Sequence, residues 1–103
     1  MEEVESKKVD LRRMAFEVYK WLVTSGKKEF KSKNMSVKFK LGQGRPSHIL
    51  KILLYAELIE PQGRKRRYRV IHYPIDEVWE KVMEGYAKYV EERRRYAKRR
   101  YEK

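Results

Sequence analysis

The side chains best suited to ligand contact lie close together, between residues 45 and 51. Pro46 suits the first turn of a helix because it needs no amide donor there, and Ser47 can help to satisfy free amides. From residue 46 to about 57 the apolar positions recur at spacings of three and four and share one face: Ile49, Leu50, Leu53 and Leu54. On or near the opposite face lie Arg45, Ser47, His48 and Lys51. Such a helix is suited to a major groove, where these side chains approach base edges and phosphates.

The sequence shows no pattern typical of a catalytic site or a metal site. The two histidines, His48 and His72, lack the paired spacing of a metal site, and a structural role is expected for His72. Residues 42–44, Gly-Gln-Gly, are too short for a nucleotide-binding loop, and the chain has no cysteine. We therefore expect no enzyme, no cofactor and no metal.

A β-hairpin is predicted after this helix. Leu58 and Ile59 begin one strand, and Pro61 is tolerated only at an edge or a strand end. Residues 62–65 are typical of a turn, and residues 67–71 are rich in strand formers. Cations occupy the tip of the hairpin and its flank: Arg64, Lys65, Arg66 and Arg67. Arg67 can instead fix the strand.

These two segments resemble the winged helix-turn-helix superfamily. Leu50-x-x-Leu53 followed by Leu58-Ile59 looks like the end of a recognition helix and the entry into a wing, within a resemblance that covers residues 10 to 73. The resemblance implies a mainly α fold with a small β-hairpin (α+β) and, in this chain, a long C-terminal helix. Helix 46–57 would enter the major groove, with Gln43 from the preceding turn, and wing 62–68 would follow the backbone or a minor groove. The family often has Gly where this chain has Glu57, which leaves the geometry of that turn open.

Composition favours a polyanion partner. The 103 residues carry a formal net charge of +12, which points to nucleic acid first and an anionic membrane surface second. The alternative is a solvated, highly charged surface of the kind found in thermophile proteins. No stretch approaches the length of a membrane span, and residues 1–8 are acidic and polar. We expect a cytoplasmic, nucleoid-associated protein without a membrane partner.

The first part of the domain is predicted to be one helix and a lysine-rich segment. We divide the chain into a lead-in at 1–8, a winged helix-turn-helix domain at 9–75 and a C-terminal helix at 76–103. Asp10 should cap a helix that ends near Gly26, with Trp21 in its core stripe. Off that stripe, Phe16 and Tyr19 should meet the C-terminal segment or a second subunit. In the segment 27–40, Ser32 or Ser36 should cap a short helix whose inward residues are Val37 and Leu41. The lysines of this segment, Lys38 and Lys40 among them, should flank the groove and contact phosphates; the alternative is a solvated loop and helix face.

The last helix should begin at an Asp76 cap. Its first part carries candidates for packing or dimerisation: Trp79, Val82, Met83, Tyr86, Tyr89 and Val90. This stripe outruns a core of this size, so we favour a homodimer over a helix that simply covers the monomer. From about residue 93 a basic tail offers further contacts: Arg94, Arg95, Arg99 and Arg100. Those cations also suit a helix C-terminus without any ligand.

The sequence thus predicts a protein that binds double-stranded DNA as a transcriptional regulator. Three alternatives stay open. An architectural protein would coat any duplex, and an RNA-binding or ribosome-associated winged helix would use the basic tail. A protein-interaction module would dock through the apolar last helix and would be monomeric without its partner.

Overall fold

The computed structural model describes residues 10–41, 45–63 and 66–101, with side chains as far as Tyr96. Gln43, Arg64 and Lys65 lie outside the described residues, as do the side chains of Arg99 and Arg100. In chain order the elements are α1 Leu11–Thr24, β1 Glu29–Lys31, α2 Ser32–Phe39, α3 Arg45–Tyr55, β2 Ile59–Pro61, β3 Arg67–Val70 and α4 Ile75–Tyr101. The fold is mainly helical with a small antiparallel sheet, which confirms the predicted α+β class.

Helix α1 begins and ends where its sequence predicts. The Asp10 carboxylate accepts from the amides of Arg12 and Arg13 at 3.1 and 3.4 Å, which caps the first turn. At the other end Gly26 takes a φ of +70°, and its amide and that of Lys27 bond back to Val23 and Leu22. The buried face consists of Ala15, Val18, Tyr19 and Leu22. The predicted cap and stop are confirmed.

Helix α2 presents a different face to the core from the one predicted. Met35 is fully buried, whereas Val37 is 68% exposed, so the prediction that Val37 faces inward is wrong. Residues that are two positions apart on a helix, such as Met35 and Val37, point about 200° away from each other. Because Met35 faces the core, Val37 faces solvent. Leu41 packs partly against the core as predicted. The N-cap is Lys31, whose amide donates to the Asn34 side chain at 3.1 Å, and neither serine caps the helix.

Helix α3 buries Ile49, Leu50, Ile52 and Leu53, and Leu54 is half-buried. Its C-terminal turn closes on Glu57, which adopts a left-handed φ of 62°. The amides of Glu57 and Leu58 bond back to the carbonyls of Leu54 and Leu53, each at 3.0 Å. Glu57 thus takes the backbone conformation that favours glycine, and the turn keeps its tight geometry at a conformational cost.

The predicted hairpin forms, and a third strand joins it. β2 and β3 pair antiparallel with Pro61 opposite Tyr68, so the proline lies at the end of an edge strand. β1 pairs with the other side of β3, which makes β3 the central strand. This pairing places Lys31 opposite Arg67 and stacks Phe30 on Tyr68. Beyond β3, the buried Tyr19 hydroxyl donates to the Ile71 carbonyl at 2.6 Å and ties the sheet to α1.

Helix α4 covers α1 and α3. It begins at Ile75, so Asp76 lies in its first turn and does not cap it. Val78, Val82 and Tyr89 are buried, and Phe16 meets Trp79 edge-on at 5.6 Å, which confirms the predicted contact of Phe16 with this helix. None of the described helices is both long and apolar enough to cross a membrane.

Gly85 marks a close approach of α4 to α3. A Cβ atom there would lie 2.8 Å from the Cβ and the amide nitrogen of Ala56, and closer still to the carbonyl oxygen of Ile52. Only a glycine lets the two helix backbones come this near. The position of α3 on the body of the protein therefore depends on α4.

Candidate nucleic-acid interface

An open groove of about 710 Å³ runs between α2, the first turns of α3 and the hairpin. Its polar lining combines cations and hydroxyls: Lys31, Lys33, Arg66, Ser32, Ser36 and Ser47. Its apolar lining consists of Val37, Pro46, Leu50 and Tyr68. Cations and hydroxyls are the groups that bind phosphate oxygens, and apolar side chains can contact sugars and bases.

Cations around this groove have no carboxylate partner among the residues that the structure describes. Between residues 27 and 45 the single acid is Glu29, and its carboxylate already accepts from Arg67 at 3.4 Å and from Gln62 at 3.3 Å. Three cations that line the groove have no ion pair among the described residues: Lys31, Lys33 and Arg66. Lys38, Lys40 and Arg45 do not line the groove and also have no described ion pair. All six are exposed or half-exposed. The positive charge of this side of the molecule is therefore available to an external anion.

The hairpin contributes one described cation to the groove. Arg66, at a left-handed φ of 60°, stands just before β3, and its carbonyl accepts from the Ser32 amide at 3.0 Å. Arg67 and Arg69 follow on the strand, where they pair with Glu29 and Glu60. Arg67 thus takes the strand-fixing position that the sequence left open.

His48 lies against α4. Its Nδ1 shares a hydrogen bond with the Tyr89 hydroxyl, and the two rings meet at 72°. Burial lowers the pKa of His48 below its ordinary 6.5, and the charges of Arg93, Lys51 and Arg45 lower it further. His48 is therefore neutral at pH 7 and adds no charge to the cationic surface.

Lys51 also meets α4, more loosely. Its Nζ lies 3.5 Å from the Glu92 carboxylate, with the two side chains 54% and 46% exposed. A hydrogen bond from Tyr55 to Glu92 raises the pKa of Tyr55 and lowers the pKa of Glu92. Water screens an exposed ion pair of this kind, so it adds little to stability and Lys51 can exchange Glu92 for a phosphate.

The basic end of α4 is only partly engaged. Arg93 lies over the Tyr89 ring and donates to its hydroxyl at 3.4 Å, and Arg95 pairs with Glu91 at 3.2 Å. Arg94 is exposed and has no ion pair among the described residues.

The structure therefore brings together part of the predicted site. Ser47 and Arg66 line the groove, and Arg45 precedes the groove residue Pro46 in the chain. Lys38 lies on α2 and Lys40 is its C-cap. His48 and Lys51 contact side chains of α4 instead. The sequence pointed to Lys31 and Lys33 only as members of the lysine-rich segment, and to Ser32 and Ser36 only as candidate caps, so it did not place these four side chains around one groove. The lysine-rich run was visible, but the strand that places Lys31 beside the hairpin was not.

Comparison with known proteins adds no relative. The chain matches no protein-family model, no curated protein and no solved structure. Within the described residues, no cluster of three or more His, Asp or Glu side chains could hold a metal ion.

Proposed function

We propose that this chain binds double-stranded DNA through the groove between α2, α3 and the hairpin. The observation that carries the proposal is the set of unpaired cations around that groove, in a chain of net charge +12. A positively charged surface that also carries hydroxyl groups suits a sugar–phosphate backbone. The order of helix, turn, helix and hairpin, which resembles the winged helix-turn-helix superfamily, supports the same choice.

In the proposed complex α3 approaches the major groove with its N-terminal end. Arg45 and Lys51 are the long cationic side chains that reach base edges or phosphates, and Ser47 lies between them. The adjacent groove takes one sugar–phosphate strand, which Lys31, Lys33 and Arg66 contact from the groove lining. Lys38 and Lys40 extend the phosphate contacts along α2.

A transcriptional regulator requires base readout, and one observation favours the sequence-independent alternative. His48 is neutral and bonded to Tyr89, and Lys51 is paired with Glu92. Among the long side chains that the structure describes on the polar face of α3, this leaves Arg45 as the one without a contact to α4. Few side chains of α3 are therefore free to read bases. An architectural protein that binds any duplex is therefore the second candidate.

Fluorescence anisotropy with a labelled duplex, titrated with salt, tests the proposal. Removing one phosphate contact should lower the slope of log K against log salt by about 0.9, so a double variant Lys33→Gln/Arg66→Gln should lower it by about 2. Lys88→Gln is the matched single-charge control, because Lys88 is exposed on α4 and does not line the groove. Single-charge variants Lys33→Gln and Arg66→Gln should each change the slope, and Lys88→Gln should not.

Competition with unlabelled nucleic acids distinguishes a regulator, an architectural protein and an RNA-binding protein. Selected duplex sites that resist salt better than random duplex indicate a regulator, and equal affinity for all duplexes indicates an architectural protein. Preference for double-stranded RNA over DNA would refute the proposed groove mechanism. Equal slopes for wild type and the double variant would refute the assignment of this surface.

A further inference from the structure

An apolar stripe on α4 remains open to solvent after the monomer has folded. Ile75, Trp79 and Met83 follow one another at intervals of four residues and are 46%, 42% and 36% exposed. Tyr86 and Val90 continue the same line and are half-buried. The stripe covers more than four turns, or roughly 22 Å. It adjoins the buried face of α4, which contains Val78, Val82 and Tyr89.

Contacts with α1 hold one side of this stripe in place. Phe16 packs edge-on against Trp79, and the Arg12 guanidinium lies 5.3 Å from the centre of the Tyr86 ring. The same arginine approaches the Met83 sulfur at 3.9 Å. The exposed aromatic and thioether groups are thus pre-positioned, which lowers the entropy cost when a partner covers them.

The charges of α4 indicate which partner fits. Its first turns carry four acids, Asp76, Glu77, Glu80 and Glu84, against one cation, Lys81. Its later turns carry Lys88 and then Glu91 and Glu92, followed by three arginines at 93–95. In an antiparallel pair with Ile75 level with Val90 of the second copy, Glu77 lies level with Lys88 and Glu84 with Lys81. The arginines after the stripe then lie about 6–9 Å, measured along the helix, beyond Asp76 of the second copy. The opposed helix dipoles favour the same direction, and a parallel pair would bring like charges together.

We infer that this stripe is an interface between two copies of the chain, with their α4 helices antiparallel about a two-fold axis near Met83. In this register Ile75 lies beside Val90 of the second copy, Trp79 beside Tyr86, and Met83 beside its own counterpart. Every stripe residue then meets an apolar residue, as a self-complementary interface requires. The inference goes beyond DNA binding and uses none of the groove residues.

Molar mass in solution tests the association. Light scattering on the full chain at about 100 µM should give twice the 12.7 kDa of one chain. Met83→Glu should weaken the dimer by about 30-fold or more, because it places two like charges together at the two-fold axis. Ile75→Glu should weaken it less, because Ile75 lies at the end of the stripe. Val37→Glu is the matched control, since Val37 is an exposed apolar residue on α2. A wild-type mass of one chain, or a dimer unaffected by both α4 variants, would overturn the inference.

Disulfide cross-linking tests the direction of the helices on a chain that contains no cysteine. Met83→Cys should cross-link two copies under mild oxidation, because the two positions meet at the axis. Ile75→Cys should not, because its two copies would be about 22 Å apart along the helices, far beyond disulfide reach. Cross-linking at both positions would indicate a parallel pair and would overturn the antiparallel arrangement. Both variants change side chains that are already exposed, so the monomer should fold in each case.

Discussion

Gly85 offers the sharpest test of how α4 holds α3. In an isolated helix Gly→Ala stabilises by about 1 kcal/mol, because alanine loses less backbone entropy. At position 85 the added methyl group would lie 2.8 Å from Ala56 and closer to the Ile52 carbonyl oxygen. These are helix backbone atoms and a short side chain, which cannot rotate away. The packing penalty should therefore exceed the helix-propensity gain.

The size of the effect follows from these two opposing contributions. Overpacking of a closed contact costs about 1–3 kcal/mol, and backbone obstruction belongs at the upper end. Subtracting the gain of about 1 kcal/mol leaves a net loss of roughly 1–2 kcal/mol. For a domain of this size that loss lowers the melting temperature by about 5–15 °C.

Thermal and urea unfolding, followed by circular dichroism, measure the change. Ala87→Gly on the exposed side of α4 calibrates helix propensity and should cost about 1 kcal/mol. The two variants thus exchange the same residues in opposite directions, yet both should destabilise. A Gly85→Ala protein more stable than wild type would refute the packing of α4 on α3 at this point.

Three further predictions concern single side chains. Glu57→Gly should raise stability by about 1 kcal/mol in urea unfolding, because glycine adopts the φ of 62° without strain, whereas Glu57→Ala should give no gain. His48 has a folded pKa below its ordinary 6.5, so the unfolded chain takes up the proton first. The neutral, Tyr89-bonded His48 therefore contributes fully to the free energy of unfolding above about pH 6.5, and this contribution declines as the pH falls below that value. His48→Gln should flatten this part of a curve of stability against pH. An unchanged curve would contradict the lowered pKa of His48. Tyr19→Phe should cost about 1–2 kcal/mol in melting experiments by leaving the Ile71 carbonyl unpaired, and a neutral result would mean that water replaces the hydroxyl.

Local signals in the sequence were sufficient to predict α1, α3 and the β2–β3 hairpin. The Asp10 carboxylate caps the amides of the next turn, and Gly26 adopts the positive φ that ends the helix, so both effects are local. The apolar repeat of α3 can likewise be recognised without knowing a distant partner. The strand β1 has no such signal, because its three residues form a strand only through backbone pairing with β3. That missing strand hid the position of Lys31 at the groove.

Contacts between distant residues account for the remaining differences. His48 and Tyr89 are 41 residues apart, and nothing near His48 in sequence predicts that it turns toward α4. The exposure of Val37 likewise depends on Met35 filling the core position. Surplus apolar surface on α4 was predictable, but the packed body decides which part of it is buried: Val82 and Tyr89 are covered, while Trp79 and Met83 are not.

The proposed DNA-binding surface can be mapped most directly by NMR on the ¹⁵N-labelled full chain, titrated with a short duplex. Binding through the groove predicts amide shift changes in residues 31–38, 45–51 and 66–68. The exposed far side of α4, around Lys88, should remain unchanged. Shift changes confined to the basic end of α4 around Arg94, or none at low salt, would contradict the central claim that the groove between α2, α3 and the hairpin binds DNA.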